Sequence, residues 1–337
     1  MACDLKGVPS LKLLKNIINN ILKKISFAAA LVLVVLVALV LVAGCGAGGK
    51  WQGRLKVAAD IAPLADFCRV VGGDIVDVEM LVPPGASPHA YELTTGQMRF
   101  LAEADVLVTV GMELTPWAEE VFGKVDNPDL VTVVAGEVTP QSELIPAAAL
   151  EEEKQAVGEA EYEHGVYDPH IWLDPELAVY IVEAVRGGFI LADPENAAAY
   201  RENAEKYLEE LAGLDGEIRK EVATYTSRKF VSFHSSWTYF ASRYGLEQVG
   251  VIEEQPGKEP SAGEIGELVD LIESQGIKVV FAEPQFSPRA AEAIAEESGG
   301  KVVVKILDPL GDPEDPEKDT YLKMMRSNLE VMGEALR

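Results

Sequence analysis

From Leu55 onward, short β-branched runs alternate with stretches whose apolar residues recur every three or four positions. LKVAAD (55–60), IVDVEMLV (75–82), DVLVTVG (105–111) and DLVTVVAG (129–136) read as strands. APLADFCRVVG (62–72), TGQMRFLAEA (95–104) and TPWAEEVFGKV (115–125) read as the helices between them. The alternation restarts with the strands RKFVSFH (228–234), QVGVIE (248–253), KVVFAE (278–283) and KVVVKIL (301–307). Helical stretches separate these strands, and a terminal helix is expected from Pro316. Such alternation lays successive strands parallel, with helices on the sheet faces. It predicts an α/β fold of two lobes, each a four-stranded, mainly parallel sheet flanked by helices.

Between the two sets, Tyr200, Ala204, Tyr207, Leu211, Leu214, Ile218 and Val222 keep a single three-or-four spacing. Asp193 is suited to cap this run and Pro194 to its first turn. No proline interrupts roughly 28 residues, which at 1.5 Å each make a helix of about 42 Å. That is long for a crossover, so the expectation is one rigid helix joining the lobes. The expected boundaries are an N-terminal lobe over 55–190, a linking helix over 191–224 and a C-terminal lobe over 225–337.

The first 44 residues have a different pattern. Lys6, Lys12, Lys15, Lys23 and Lys24 precede an apolar stretch from Ile25 to Val42, which runs into Val42-Ala43-Gly44-Cys45. A basic segment, an apolar run and small residues before a cut site describe an export signal. This ending has the form of a lipobox, with Cys45 as the lipid-attachment residue. Residues 1–44 are then a lipoprotein signal peptide and 45–54 a lipid-anchored tether. A plain transmembrane anchor is the other reading, since about 18 apolar residues can span a bilayer. Either way the body lies outside the cytoplasm on a membrane.

Charge and cysteine content narrow the chemistry. Residues 1–44 hold five lysines and one aspartate, which leaves 24 basic and 54 acidic side chains, or about −30, on the remainder. So acidic a body repels nucleic acid, whose binding depends on neutralising phosphates. With Cys45 lipidated, Cys68 is the sole remaining thiol, too few for a disulfide or a thiolate metal cluster. The one low-complexity stretch, EEEKQAVGEAEYEHGVYDPH from Glu151, reads as a solvated acidic loop carrying His164.

The other three histidines occupy restrained positions. His89 ends PPGASPH, a segment stiffened by three prolines; His170 lies in YDPHIWLDPE; His234 ends the strand KFVSF. Asp308 follows KVVVKIL in the same manner. Ligand sites of open α/β sheets lie beyond the carboxyl ends of strands. Three imidazoles and one carboxylate make a closed tetrahedral set for a divalent transition metal, and zinc suits imidazole donors. Glu92 and Glu283 are nearby carboxylates suited to orienting an imidazole rather than to binding the metal.

PPGASPHAYEL, DPHIWLDP, SFHSSWTYFASRYGL and FAEPQFSPRAAEAIAEESGGKVVVKILDPLG resemble, in order and spacing, the metal-binding proteins of zinc and manganese ABC importers. The resemblance runs from about Leu55 to the C-terminus. It implies two α/β lobes on one rigid helix, with metal held between them by His89, His170, His234 and Asp308. It also implies a monomer that delivers its cargo to a membrane permease driven by a cytoplasmic ATPase. Histidine at the third position resembles the zinc binders and glutamate the manganese binders, so Zn2+ is expected and Mn2+ is the alternative. The loop before His170 is poorer in histidine than the charged loop of zinc members. The family's Tyr-Glu-Pro here reads Tyr91-Glu92-Leu93.

Rival functions are a manganese- or iron-binding member of the same family, a zinc-dependent hydrolase and an adhesin. A hydrolase would keep three protein ligands and an open position for water. The chain has no His-Glu-x-x-His helix or nucleophile-elbow serine. Binding without catalysis is therefore the expectation.

Overall fold

A computed structural model describes residues 53–122, 125–147, 166–253 and 257–337. The signal segment, Cys45 and His164 lie outside the described residues.

The first sheet consists of β1 (Leu55–Ala59), β2 (Val76–Met80), β3 (Val106–Thr109) and β4 (Val131–Val134), in the spatial order β2-β1-β3-β4. The second consists of β5 (Lys229–Ser232), β6 (Glu247–Val251), β7 (Val279–Ala282) and β8 (Val303–Ile306), in the order β6-β5-β7-β8. Every pairing is parallel, which sharpens the expectation of mainly parallel sheets. Successive residues along a strand point to opposite faces. In β7, Val279 and Phe281 therefore face the main core, while Val280 and Ala282 face a second core under α8 (Ala262–Gln275) and α9 (Arg289–Glu297). α8 starts at a reciprocal cap between Ser261 and Glu264 and stops at Gly276, whose φ of 67° suits glycine.

The linking helix α6 spans Ala197–Val222, 26 residues and about 39 Å. Its buried side chains are Tyr200, Ala204, Tyr207, Leu211, Leu214, Ile218 and Val222, the stripe read from spacing. It packs on α1 (Ala62–Gly72) and α5 (Pro175–Ala192) of the first half, and on α7 (Thr238–Tyr244) and α10 (Tyr321–Leu336) of the second. The helix starts later than expected. Asp193 accepts hydrogen bonds from Asn196 Nδ2 and the Tyr200 hydroxyl, so it closes a 3₁₀ turn over Pro194–Asn196 instead of capping α6.

Two further elements depart from the sequence pattern. Helix α5, 18 residues long, is absent from the periodic reading because PELAVYIVEAVRGGFILA is apolar on most of its circumference. It packs between α6 and the face of β3 and β4, and leaves Glu176, Tyr180, Glu183, Gly187 and Leu191 exposed along one stripe. The terminal helix begins at Tyr321, not near Pro316, because Asp312–Lys318 folds into tight turns and Thr320 supplies the cap. The main core runs without a break from the first sheet, through α5, α6 and α10, to one face of the second sheet. Among the described residues no helix is long and apolar enough to cross a membrane.

Candidate metal centre

Two consecutive β-turns deliver His89. The amide of Ala86 donates to the carbonyl of Pro83, with Pro84 second and Gly85 third at a φ of 76°; this is a type II turn, which needs glycine at its third position. The amide of Ala90 then donates to the carbonyl of Ser87, with Pro88 second and His89 third. Each proline fixes a φ in advance, so little entropy is lost in holding the imidazole.

His170 is placed by an Asp-Pro-His turn. Asp168 Oδ1 accepts the backbone N–H of His170 at 2.9 Å and lies 2.8 Å from its ring Nδ1. A 3₁₀ turn over Ile171–Leu173 follows, then Asp174 caps α5 with Pro175 in the first turn. The turn is tied to the second half at two points: Trp172 Nε1 donates to the carbonyl of Pro309 at 2.7 Å, and the Tyr239 hydroxyl donates to the carbonyl of Asp168 at 2.9 Å.

His234 lies just beyond β5, where Ser232 Oγ donates to its carbonyl. Its Nδ1 lies 2.9 Å from Glu283 Oε1, just beyond β7. Asp308 lies beyond β8 and Glu253 beyond β6, so all four strands of the second sheet run into a polar residue of this rim. Burial pushes the Glu253 carboxyl above its ordinary range, against the lowering effect of the Gly257 amide.

Donor atoms of His89, His170 and His234 lie within 4.8 Å of one another. The ring of His89 is 5.5 Å from each of the other two, centroid to centroid. Tautomers follow from the partners: a carboxylate oxygen only accepts, so Nδ1 of both His170 and His234 carries the proton. Their Nε2 lone pairs then face each other at 3.2 Å. Two lone pairs at that distance repel unless a cation lies between them. Asp168 Oδ2 and Glu283 Oε2, both buried, have no hydrogen-bond donor. The three imidazoles and Glu283 line one cavity, with Asp168 against His170, and its wall is completed by Trp172, Phe286, Pro309 and Leu310. The apolar wall lowers the local dielectric and strengthens the attraction for a cation.

Asp308 does not join the histidine group in this structure. Its Oδ1 accepts from the amides of Leu310 (3.2 Å) and Gly311 (2.9 Å) and from Gln285 Nε2 (3.2 Å). Glu283 touches His234 as an orienting carboxylate would. Glu92 does not fill that role: it is exposed and makes no hydrogen bond among the described residues. The carboxylate that orients His170 is Asp168, which the sequence reading passed over. Its signal was the Asp-Pro pair two residues before the histidine, a turn in which the aspartate bonds its own backbone.

The family model described as ZnuA, zinc-uptake complex component A periplasmic, matches residues 57–335. The zinc-binding lipoprotein AdcA of Streptococcus pneumoniae is 30% identical over 312 residues, covering 92% of this chain and 60% of AdcA. The chain thus spans about three-fifths of that relative's length. The manganese-binding lipoprotein MntA of Bacillus subtilis is 32% identical over 314 residues, covering 90% of this chain and 97% of MntA. A crystal structure of ZnuA superposes with a TM-score of 0.68 at 30% identity, covering 84% of this chain and all of that one.

Proposed function

Because this chain belongs to the family of zinc-uptake complex component A, we propose that it binds one divalent transition metal outside the cytoplasm and hands it to a membrane permease. The observation that carries the reading is the pair of Nε2 lone pairs facing each other at 3.2 Å, with His89 beside them. His170 and His234 each keep Nε2 unprotonated because a buried carboxylate accepts the hydrogen bond from Nδ1–H. The metal is cargo, and the site's task is to hold and release it.

Zinc is the favoured cargo. Three neutral imidazoles suit zinc, whereas manganese prefers oxygen donors. His89, His170 and His234 supply three bonds, and Asp308 supplies the fourth by turning its carboxylate toward them. A filled fourth position leaves no place for a metal-activated water, which favours binding over catalysis.

The remaining parts follow from the same reading. Residues 55–190 and 225–337 act as two lobes on the linking segment 191–224. Cys45 carries the lipid that tethers a monomer to the membrane; AdcA and MntA, both named lipoproteins, support this. The partners are an ABC permease and its cytoplasmic ATPase. The test is metal analysis of protein purified without added metal, followed by zinc and manganese competition. One equivalent of zinc, not displaced by excess manganese, is expected. Preference for manganese would make the chain a manganese carrier, and binding of neither would sink the reading.

A further inference from the structure

Both oxygens of the Asp308 carboxylate are engaged by protein groups, and its backbone is held as well. Its backbone is clamped from both sides by Asn328 of α10: Asn328 Oδ1 accepts from the Asp308 amide at 2.8 Å, and Nδ2 donates to the Asp308 carbonyl at 2.7 Å. The main chain therefore cannot shift, and the carboxylate reaches the histidines only by rotating about its side-chain bonds. Oδ1 is occupied by two amides and Gln285. Oδ2 faces Lys318 Nζ at 3.6 Å.

Lys318 is aimed there by its own loop. The stretch GDPEDPEKD carries Asp312, Glu314, Asp315, Glu317 and Asp319, five carboxylates within six residues of Lys318 in sequence. Among the described residues Lys318 nevertheless forms an ion pair only with Asp308. Turns fix its backbone: its amide donates to the carbonyl of Asp315 at 2.8 Å, and its carbonyl accepts from the Asp312 amide at 3.4 Å. Gly311, at a φ of 74°, passes so close that a Cβ there would lie 3.0 Å from the Lys318 carbonyl. Lys323, the neighbouring cation, is taken by Asp319 and the Pro316 carbonyl.

We propose that Lys318 is an internal counter-cation that competes with the bound metal for Asp308 and so sets the affinity and release rate of the site. This rests on the reading of Asp308 as the fourth ligand. Without metal, the ammonium neutralises a buried carboxylate that would otherwise carry an uncompensated charge. With metal, Asp308 must leave Lys318, and the cost of that exchange is subtracted from the binding energy. A carrier that must surrender its cargo gains from such a competitor, because Lys318 can recapture the carboxylate as the metal leaves.

The sign separates this role from a merely structural one. A lysine that only positioned Asp308 would weaken binding when removed; a competitor tightens binding when removed. The experiment uses the full chain in four forms: wild type, Lys318→Met, Asp308→Asn and the double variant, with Lys318→Arg as the conservative control. Zinc dissociation constants come from chelator competition and release rates from stopped-flow chelator trapping. Lys318→Met is expected to bind at least fivefold tighter and release correspondingly more slowly, with Lys318→Arg within twofold of wild type. In the Asp308→Asn background the same change is expected to move affinity less than twofold. Unchanged or weaker binding by a folded Lys318→Met protein overturns the proposal. So does equal tightening with and without Asp308, which would mean that the charge acts on the metal from a distance. A wild type that binds no zinc overturns the functional reading itself, and this proposal with it.

Discussion

Replacing Glu283 by glutamine keeps the size and shape of the side chain and removes its charge. Glu283 is 3% exposed, with Oε1 bonded to His234 Nδ1 at 2.9 Å and to Ser236 Oγ at 3.2 Å. The carboxylate fixes the His234 tautomer and strengthens the Nε2 lone pair, which the proposed site offers to the metal. A charge-assisted hydrogen bond is roughly twice as strong as a neutral one. Losing such a partner typically costs 10- to 100-fold in metal affinity, or about 1.4 to 2.8 kcal/mol. The metal-free fold should respond in the opposite sense. Oε2 is buried without a donor, and an unsatisfied buried polar atom costs about 1–3 kcal/mol, more when charged. The glutamine amide also lacks an acceptor there, so only part of this is recovered, and the metal-free Tm should stay level or rise by a few degrees. Chelator competition measures the affinity, and thermal melting of the metal-free protein measures the stability. Affinity within twofold of wild type, or a loss of affinity accompanied by a loss of stability, would refute the orienting role.

Other expectations follow from the same geometry. His89→Ala and His234→Ala should each weaken zinc binding at least tenfold by calorimetry, whereas His164→Ala should leave it within twofold. Burial pushes the Asp60 carboxyl up to about 6 from 3.8, against the hydrogen bonds of Val110, Thr109 and Ile61. A folded value above the unfolded one contributes stability at low pH that is lost as pH rises through it. Urea melts should therefore show Asp60→Asn gaining about 3 kcal/mol relative to wild type between about pH 3 and pH 7, and a constant difference would contradict this. The linking helix α6 packs on both halves, so small-angle scattering should give nearly equal radii of gyration with and without zinc. A decrease of several ångströms would indicate wide closure instead.

The stripe of α6 was legible in the sequence because its polar face is exposed, so burial and spacing carry the same information. Helix α5 was not, because its exposed stripe includes Tyr180, Gly187 and Leu191, so the outer face is too apolar to give it a period. The strands of both sheets could be read from β-branched runs, and each of the three histidines from its place in a restrained loop. That their rings meet depends on how the two halves pack, which spacing along the chain does not encode. Glu283 was readable from its position at a strand end, whereas Asp168 needed the chemistry of an Asp-Pro turn. Least legible was the state of Asp308. Its orientation is set by Gln285, by Lys318 and by Asn328, twenty residues further on in α10.

In the proposed site, three imidazoles and one carboxylate hold one zinc ion. X-ray absorption at the zinc edge, on protein loaded with one equivalent, tests this most directly. Four nitrogen or oxygen neighbours at about 2.0–2.1 Å are expected, with the outer-shell scattering of three imidazoles, falling to two in His234→Ala. A spectrum with fewer than three imidazoles in the wild type, or one unchanged by His234→Ala, would contradict it.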